Sequence, residues 1–411
     1  MLSRRLAIKT AAGVAATSAL GLSTTAQAAD KEIKVGINMS FTGSDSQGAI
    51  RDYNGAMMAF DEANANKTVP GYVFKIEKYD DATATAGQYD PAQAATNARR
   101  MVSDKAIVAA VGPLMSGAGK AMTPILSEGN LATITPTSTN PDLTDPKLAN
   151  QYRPKGKAIY FRTVTTDAFQ GPNMANYMAD VLKVKALYVL DDSGAYGVGL
   201  ADAFEGQCRK KGITIVGRDR LDPKAADYSA VLTKIKAAGV QAMYYGGVTL
   251  AGVKLAKQAY EIIPGVIKAG GDGMYSTDLL TAAGFPAVDG WYATQASPHL
   301  TEGAKLADWI KAFVEKYKMQ PDDYTITSNS AAVAIIQAVK NVAATGKPVT
   351  RDAVRDALQA GKFETLQGLV EFDENGDLKS KVVSVYQVKK DDQKPLDSPE
   401  QFKYLAVAPQ A

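Results

Sequence analysis

Residues 106–143 read AIVAAVGPLMSGAGKAMTPILSEGNLATITPTSTNPDL. The stretch opens on AIVAAVG, a run of small and branched apolar residues of the kind that fills a strand buried on both faces. GKAMTPILSEGN follows as a helix and LATITP as a second apolar strand. Strand, helix and strand in that order make a parallel pair with the helix laid across it. The rhythm extends in both directions. Upstream, EIKVGINMS is a strand and YNGAMMAFDEANAN an amphipathic helix, with Ala56, Ala59, Phe60 and Ala63 on one face. YVFKIEKYDD is the next strand, and DPAQAATNARRMVSD a helix with Pro91 in its first turn and Asp90 as its cap. Downstream, strands AIYFRTV, KALYVLDD, ITIVGRDRL, QAMYYGG and VIKAGG alternate with helices such as GPNMANYMADVLKV and LAGVKLAKQAYEII. The fold class is therefore α/β, a parallel sheet with helices on both faces. Ligands of such sheets bind at the carboxyl ends of the strands.

The tail changes character. ADWIKAFVEKYK and NSAAVAIIQAVKNVAATG read as helices, and FETLQGLVEFDENGDLKSKVVSVYQVKK as strands around an Asn375-Gly376 turn. There is no repeat and no low-complexity linker. Two lobes joined by several crossing strands explain why no single linker is visible.

The first 28 residues form an export signal: a basic head, an uncharged core and the small-residue cleavage site Ala26-Gln27-Ala28. Arg4 and Arg5 resemble the twin-arginine motif of the bacterial route for folded proteins, although Ala7 stands where that motif prefers Phe. The core from Ala11 to Leu22 is mildly apolar, which suits that route. No Cys follows it, so no lipid-attachment box is present. The expected location is the periplasm, with the signal removed.

The signal holds Arg4, Arg5 and Lys9 and no acid. Its removal leaves 43 of the 46 basic residues against 43 acidic ones, and the net charge of +3 falls to zero. A neutral mature chain argues against nucleic acid, which demands a net basic face. It also argues against docking on anionic lipid. A mature length of about 380 residues exceeds one ordinary core, so two domains are expected.

Catalytic options are few. Cys208 is the only Cys, in a helical setting, and reads as structural. His299 is the only His, in the Pro-rich loop ASPHLTEG, and any Ser-His-Asp or Cys-His triad would need it. No His/Cys cluster offers a zinc site and no GxxxxGK[ST] a phosphate loop. No cofactor, no metal and no enzyme activity are expected. Asp80 and Asp81 follow a strand and are read as structural loop residues.

Three loops carry the candidate chemistry. One places Gly112, Ser116 and Gly117 between a strand and a helix; the next places Thr137, Ser138 and Thr139 after a strand. Free N–H groups with hydroxyls beside them make an anion site that needs no basic residue, and a carboxylate is the natural guest. The same residues also serve as ordinary helix caps. Two such loops on successive strands favour ligand binding. So does a third loop, Gly270-Gly271-Asp272-Gly273, whose Asp272 can accept hydrogen bonds from an ammonium group, although Asp also forms turns. Tyr196, in LDDSGAYGVGLA, stands between strand and helix and can cover a ligand.

In order along the chain, IKVGINMSFTG, VFKIEKYDDA, VGPLMSG, ATITPTSTNPDLT, FRTVTTDAFQGP, DDSGAYGVGLA, MYYGG, GGDG and FDENGDL together resemble the periplasmic solute-binding proteins of branched-chain amino acid ABC transporters. The resemblance spans nearly the whole mature chain. It implies the type I periplasmic binding protein fold, two doubly wound α/β lobes joined by three crossing strands that close on a ligand by hinge bending. It implies one lobe from 30–167 with 296–384, and another from 168–295 with 385–411. Ser116, Thr137 and Thr139 match the donors to the ligand carboxylate, Asp272 the acidic partner of its ammonium, and Tyr196 the aromatic residue of the second lobe. The implied partners are a small-molecule carboxylate and the membrane permease of an ABC transporter, with the binding protein itself a monomer. An amine-free aromatic or aliphatic acid is the alternative ligand, and presentation to a signalling receptor the alternative role. Val248 stands where leucine binders have Tyr, the loop near Gln47-Gly48 lacks their aromatic residue, and the insertion KLANQYRPKGKA is longer than theirs. These departures are expected to reshape the side-chain end of the pocket.

Overall fold

A computed structural model describes residues 30–301 and 304–411, so the expected export signal lies outside the described residues. In chain order the first lobe begins β1 (Lys31–Met39), α1 (Ser46–Ala65), β2 (Tyr72–Asp80), α2 (Pro91–Ser103) and β3 (Ile107–Val111). It continues α3 (Ser116–Glu128), β4 (Ala132–Thr135), α4 (Ala149–Tyr152) and β5 (Tyr160–Arg162). The five strands form one parallel sheet in the order β2-β1-β3-β4-β5. Every residue of β3 and β4 is buried, because helices cover both faces of a parallel sheet.

The second lobe runs α5 (Asp167–Asp180), β6 (Ala186–Asp191), α6 (Ala195–Lys210), β7 (Thr214–Arg220), α7 (Ser229–Ala238) and β8 (Ala242–Gly246). It continues α8 (Thr249–Ile262), β9 (Ile267–Gly270), α9 (Thr277–Ala283) and β10 (Tyr292–Gln295). The chain then returns to the first lobe as α10 (Ala304–Tyr317), α11 (Asp323–Ala344), α12 (Arg351–Ala360) and the hairpin β11 (Lys362–Thr365) with β12 (Gly368–Glu371). It ends in the second lobe as β13 (Ser384–Val388) and β14 (Phe402–Val407). The second sheet is seven-stranded, β14-β13-β10-β9-β8-β6-β7, with β13 and β14 antiparallel at one edge. Three segments cross between the lobes, after β5, after β10 and before β13. They touch one another: Thr165 N donates to Ala296 O at 2.8 Å, and Ser384 Oγ to Ser297 O at 2.8 Å.

Several elements differ from the sequence reading: α11 starts at Asp323 rather than Asn329, α12 is absent from that reading, and α1 and the tail strands have other bounds. Helix α1 begins at Ser46, well before Tyr53, and Asp45 at its start makes no side-chain cap bond. The cap comes from the other lobe: Asp278 accepts from Gln47 N at 3.3 Å and from Gly48 N at 3.1 Å. In the tail, the paired strands β11 and β12 turn at Leu366-Gln367. The Asn375-Gly376 turn closes only a single bridge, Phe372 to Leu378.

Two glycines fix how elements approach the cleft. Gly112, directly after β3, has φ +101°, and a Cβ there would lie 2.1 Å from Asn38 O. Only glycine takes both that conformation and that contact. Gly55 lets α1 cross α11, since its Cβ would lie 2.3 Å from Thr325 O. Among the described residues, no helix is long and apolar enough to cross a membrane.

Candidate functional site

A cleft with a cavity volume of about 100 Å³ lies between the lobes. Its walls are the loops after β3, β4, β6, β8 and β9, one face of α1 and the start of α11. Ser116, Thr137, Ser138, Thr139, Tyr196 and Asp272 all line it, so the structure brings the six sequence candidates together.

In the first lobe, α3 starts at Ser116 with no side chain capping its first turn. Those N–H groups and the positive end of the helix face the cleft. Ser116 Oγ accepts from Asn140 N at 3.2 Å and from Ser138 Oγ at 3.2 Å. Thr139 Oγ1 is buried without a partner. Thr137 is differently placed: its hydroxyl donates to Leu114 O at 2.7 Å, so the loop itself occupies that proton. Ser138 N donates to Thr135 Oγ1 at 2.9 Å. The loop is held from behind by Arg162, fully buried, which donates to Ser138 O at 2.7 Å and to Asn140 O at 2.8 Å.

In the second lobe, Asp272 follows β9 in a short helical turn. One carboxylate oxygen accepts from Tyr196 OH and the other from Tyr324 OH, which reaches over from the opposite lobe. Tyr196 also accepts from Gly273 N at 3.0 Å, so it positions Asp272 as well as walling the cleft. Gln170 Oε1 accepts from Asp272 N at 2.8 Å, and its amide donates to Asp167 Oδ1 at 2.8 Å. Asp167 Oδ2 is buried without a partner. Burial pushes Asp272 above the usual carboxylate range, against the pull of the two tyrosine hydroxyls. Burial, then the neighbouring charge of Asp272, push Asp167 well above it. Two adjacent buried carboxyls are stabilised as anions when a cation enters beside them.

Other candidates fall outside. Asp81 is fully buried and accepts from Asn38 and Ser40 at 2.7 Å each; burial pushes it up to about 6. Cys208 is buried in α6, where burial pushes its thiol up to about 12, which suits no nucleophile. His299 lies against Tyr386 and is stacked on Tyr404, and does not line the cleft. The insertion KLANQYRPKGKA contributes nothing to the cleft wall, contrary to expectation. Its Tyr152 packs with Leu143 and Tyr160, so it thickens the back of the first lobe. Val248 does line the cleft. Sequence reasoning missed Tyr324, Gln170, Asp167 and Arg162 as partners of the site. Only the capping pattern at Asp322 hinted that a helix start lay near Tyr324.

Two α/β lobes crossed by three segments, with a cleft between strand ends, define a hinge-type solute receptor. The pattern of the periplasmic binding protein family matches residues 32–393, and the chain belongs to that family of non-enzymatic solute receptors. It is 32% identical over 361 residues to the Leu/Ile/Val-binding protein BraC3 of Rhizobium johnstonii, covering 87% of this chain and 92% of that protein. The leucine-binding protein LivK of Thermotoga maritima superposes with a TM-score of 0.78 at 23% identity, covering 92% of this chain and 98% of that one. A solute-binding protein of an ABC transporter from R. palustris, solved with benzoate, gives a TM-score of 0.74 at 18% identity, covering 92% and 97%. Both superpositions show the shared fold.

Proposed function

We propose that this chain is the substrate-binding component of an ABC importer, which captures an amino acid between its closing lobes and delivers it to a membrane permease. The observation that carries the reading is that Asp272 and the Ser116 and Thr137–Thr139 loops line one cleft. An acid together with hydroxyls and a helix start suits the ammonium and carboxylate of an amino acid, which share one carbon. The Leu/Ile/Val-binding relative supports this class of solute. Closure expels water and strengthens each polar contact; hinge closure around ligands is a standing property of periplasmic binding proteins. The lobe division at 30–167 with 296–384, and 168–295 with 385–411, belongs to the same proposal.

Ser116→Ala and Thr139→Ala are expected each to weaken binding by about 1.5–3 kcal/mol, the range for hydrogen bonds to a charged group. Calorimetry on folded variants checks this, and unchanged affinity in both would remove the carboxylate assignment. A second reading, an amine-free acid, is favoured by one observation: Tyr196 and Tyr324 already satisfy Asp272 without any ligand cation. A screen of amino acids against benzoate-type acids separates the two.

Residues 1–28 are proposed as a cleaved twin-arginine signal. Arg4→Lys together with Arg5→Lys is expected to stop export. Normal periplasmic levels of the double variant, or of the wild type in a strain lacking the twin-arginine pathway, would contradict it.

A further inference from the structure

Asp45, just before α1, and Arg51 and Asp52 on the helix line the cleft, and the second lobe and the start of α11 add Asp272, Asp278 and Asp322. Five carboxyl groups therefore share the cleft with one guanidinium. Their acceptors are mostly committed. Asp278 caps Gln47 N and Gly48 N, and Asp322 accepts from Thr325 N at 2.8 Å and Thr325 Oγ1 at 2.8 Å. Asp45 accepts from Ser44 Oγ at 2.6 Å, and Asp272 is held by Tyr196 and Tyr324. Asp52 is different. It is only 3% exposed, and its Oδ1 is buried without a partner. Arg51 acts on it only through space, without a hydrogen bond. That guanidinium donates to Gln320 O at 2.9 Å and Thr277 Oγ1 at 3.1 Å, and lies 3.5 Å from Asp322 Oδ2.

A leucine-like side chain against these groups would leave a buried carboxyl facing methyls, which is unfavourable. A side chain that ends in a cation would satisfy Asp52 and balance the surplus of acids. We infer that the ligand is an amino acid whose side chain ends in a cation, of the lysine, ornithine or arginine class, and that Asp52 receives that end. The inference rests on the amino-acid reading above and narrows it. Asp272 then takes the α-ammonium and Asp52 the distal one, and Tyr324, at the head of α11, lines the cleft with both.

The test is calorimetry of the purified protein with lysine, ornithine, arginine, glutamine, leucine and norleucine, the last matching lysine in carbon skeleton without its ammonium. At least one cationic amino acid is expected to bind roughly tenfold or more tighter than norleucine. Asp52→Asn is expected to erase that preference, bringing the cationic amino acids to the affinity of norleucine in the same variant. If norleucine, leucine or glutamine binds as tightly as every cation, the inference is overturned while the amino-acid reading stands. A cation preference that survives Asp52→Asn overturns the assignment of Asp52. A protein that binds benzoate-type acids and no amino acid overturns both readings. Should Asp52→Asn fail to fold, the wild-type comparison of lysine with norleucine still decides the ligand class.

Discussion

Asp272→Asn is expected to abolish amino-acid binding at micromolar concentrations. The wild-type carboxyl is buried, oriented by Tyr196 and Tyr324, and set among Gln170 and Asp167 with no cation in contact with it among the described residues. A ligand ammonium drawn there gives up its water for that one charge. With the charge replaced by an amide, the buried cation has no counterpart, and breaking such a pair costs about 3–5 kcal/mol. That is a loss of roughly a hundredfold to a few thousandfold in affinity. The variant keeps the shape of the side chain, so the fold should survive. Thermal unfolding without ligand is the control.

The same residue sets a pH dependence with a definite sign. Burial holds Asp272 above the ordinary carboxylate range in the free protein. A protonated acid cannot pair with an ammonium, so binding requires the proton to leave. Affinity is expected to be full above the raised value, and to fall as pH drops through it, by about tenfold per unit. The fall begins at a higher pH than an ordinary Asp would give. Titrations in buffers of different ionisation enthalpy should show a proton released on binding. Affinity that stays full down to the pH range of an ordinary Asp, with no proton released, would contradict the assignment.

How far the sequence discloses this protein depends on how local each cause is. The alternation of β3, α3 and β4 is legible because buried strands and helices have their own periods. The loops after them are legible as strand ends. Helix α1 is read too short because the group that caps it, Asp278, arrives from some 230 residues away. A helix start without a local cap looks like loop. Tyr324 is invisible as a site residue for the same reason, since its contact with Asp272 exists only once two lobes face each other. Asp52 reads as one more polar residue on a helix, and nothing local says that it faces the cleft. Which atom Thr137 offers is likewise decided by the fold, which directs its hydroxyl proton to Leu114 O.

Arg162 joins the fold to the site, and Arg162→Met is expected to have the largest effect on stability. Its side chain is fully buried and every polar end is engaged. It donates to Ser138 O, Asn140 O and Thr144 Oγ1, and Nε lies 2.7 Å from Asp377 Oδ1. Sequence shows the two stretches, FRTV and DENGDL, but not that they meet. Met fills much of the same apolar volume and donates nothing. It leaves Asp377, 18% exposed, without its cation and two loop carbonyls without donors. The expected loss is about 3–5 kcal/mol, read as a lower urea midpoint at unchanged slope. Ligand affinity should fall with it, because the 138–140 segment that supports Ser116 and presents Thr139 loses its anchor. Arg162→Lys should rescue only partly. Lysine brings a single point of charge, where the guanidinium fork reaches several acceptors in fixed directions. Asp377→Asn should cost less than Arg162→Met, since the guanidinium keeps its three uncharged acceptors. If Arg162→Met unfolds within about 1 kcal/mol of wild type, the range of an ordinary surface change, and binds ligand equally well, Arg162 anchors neither the fold nor the site.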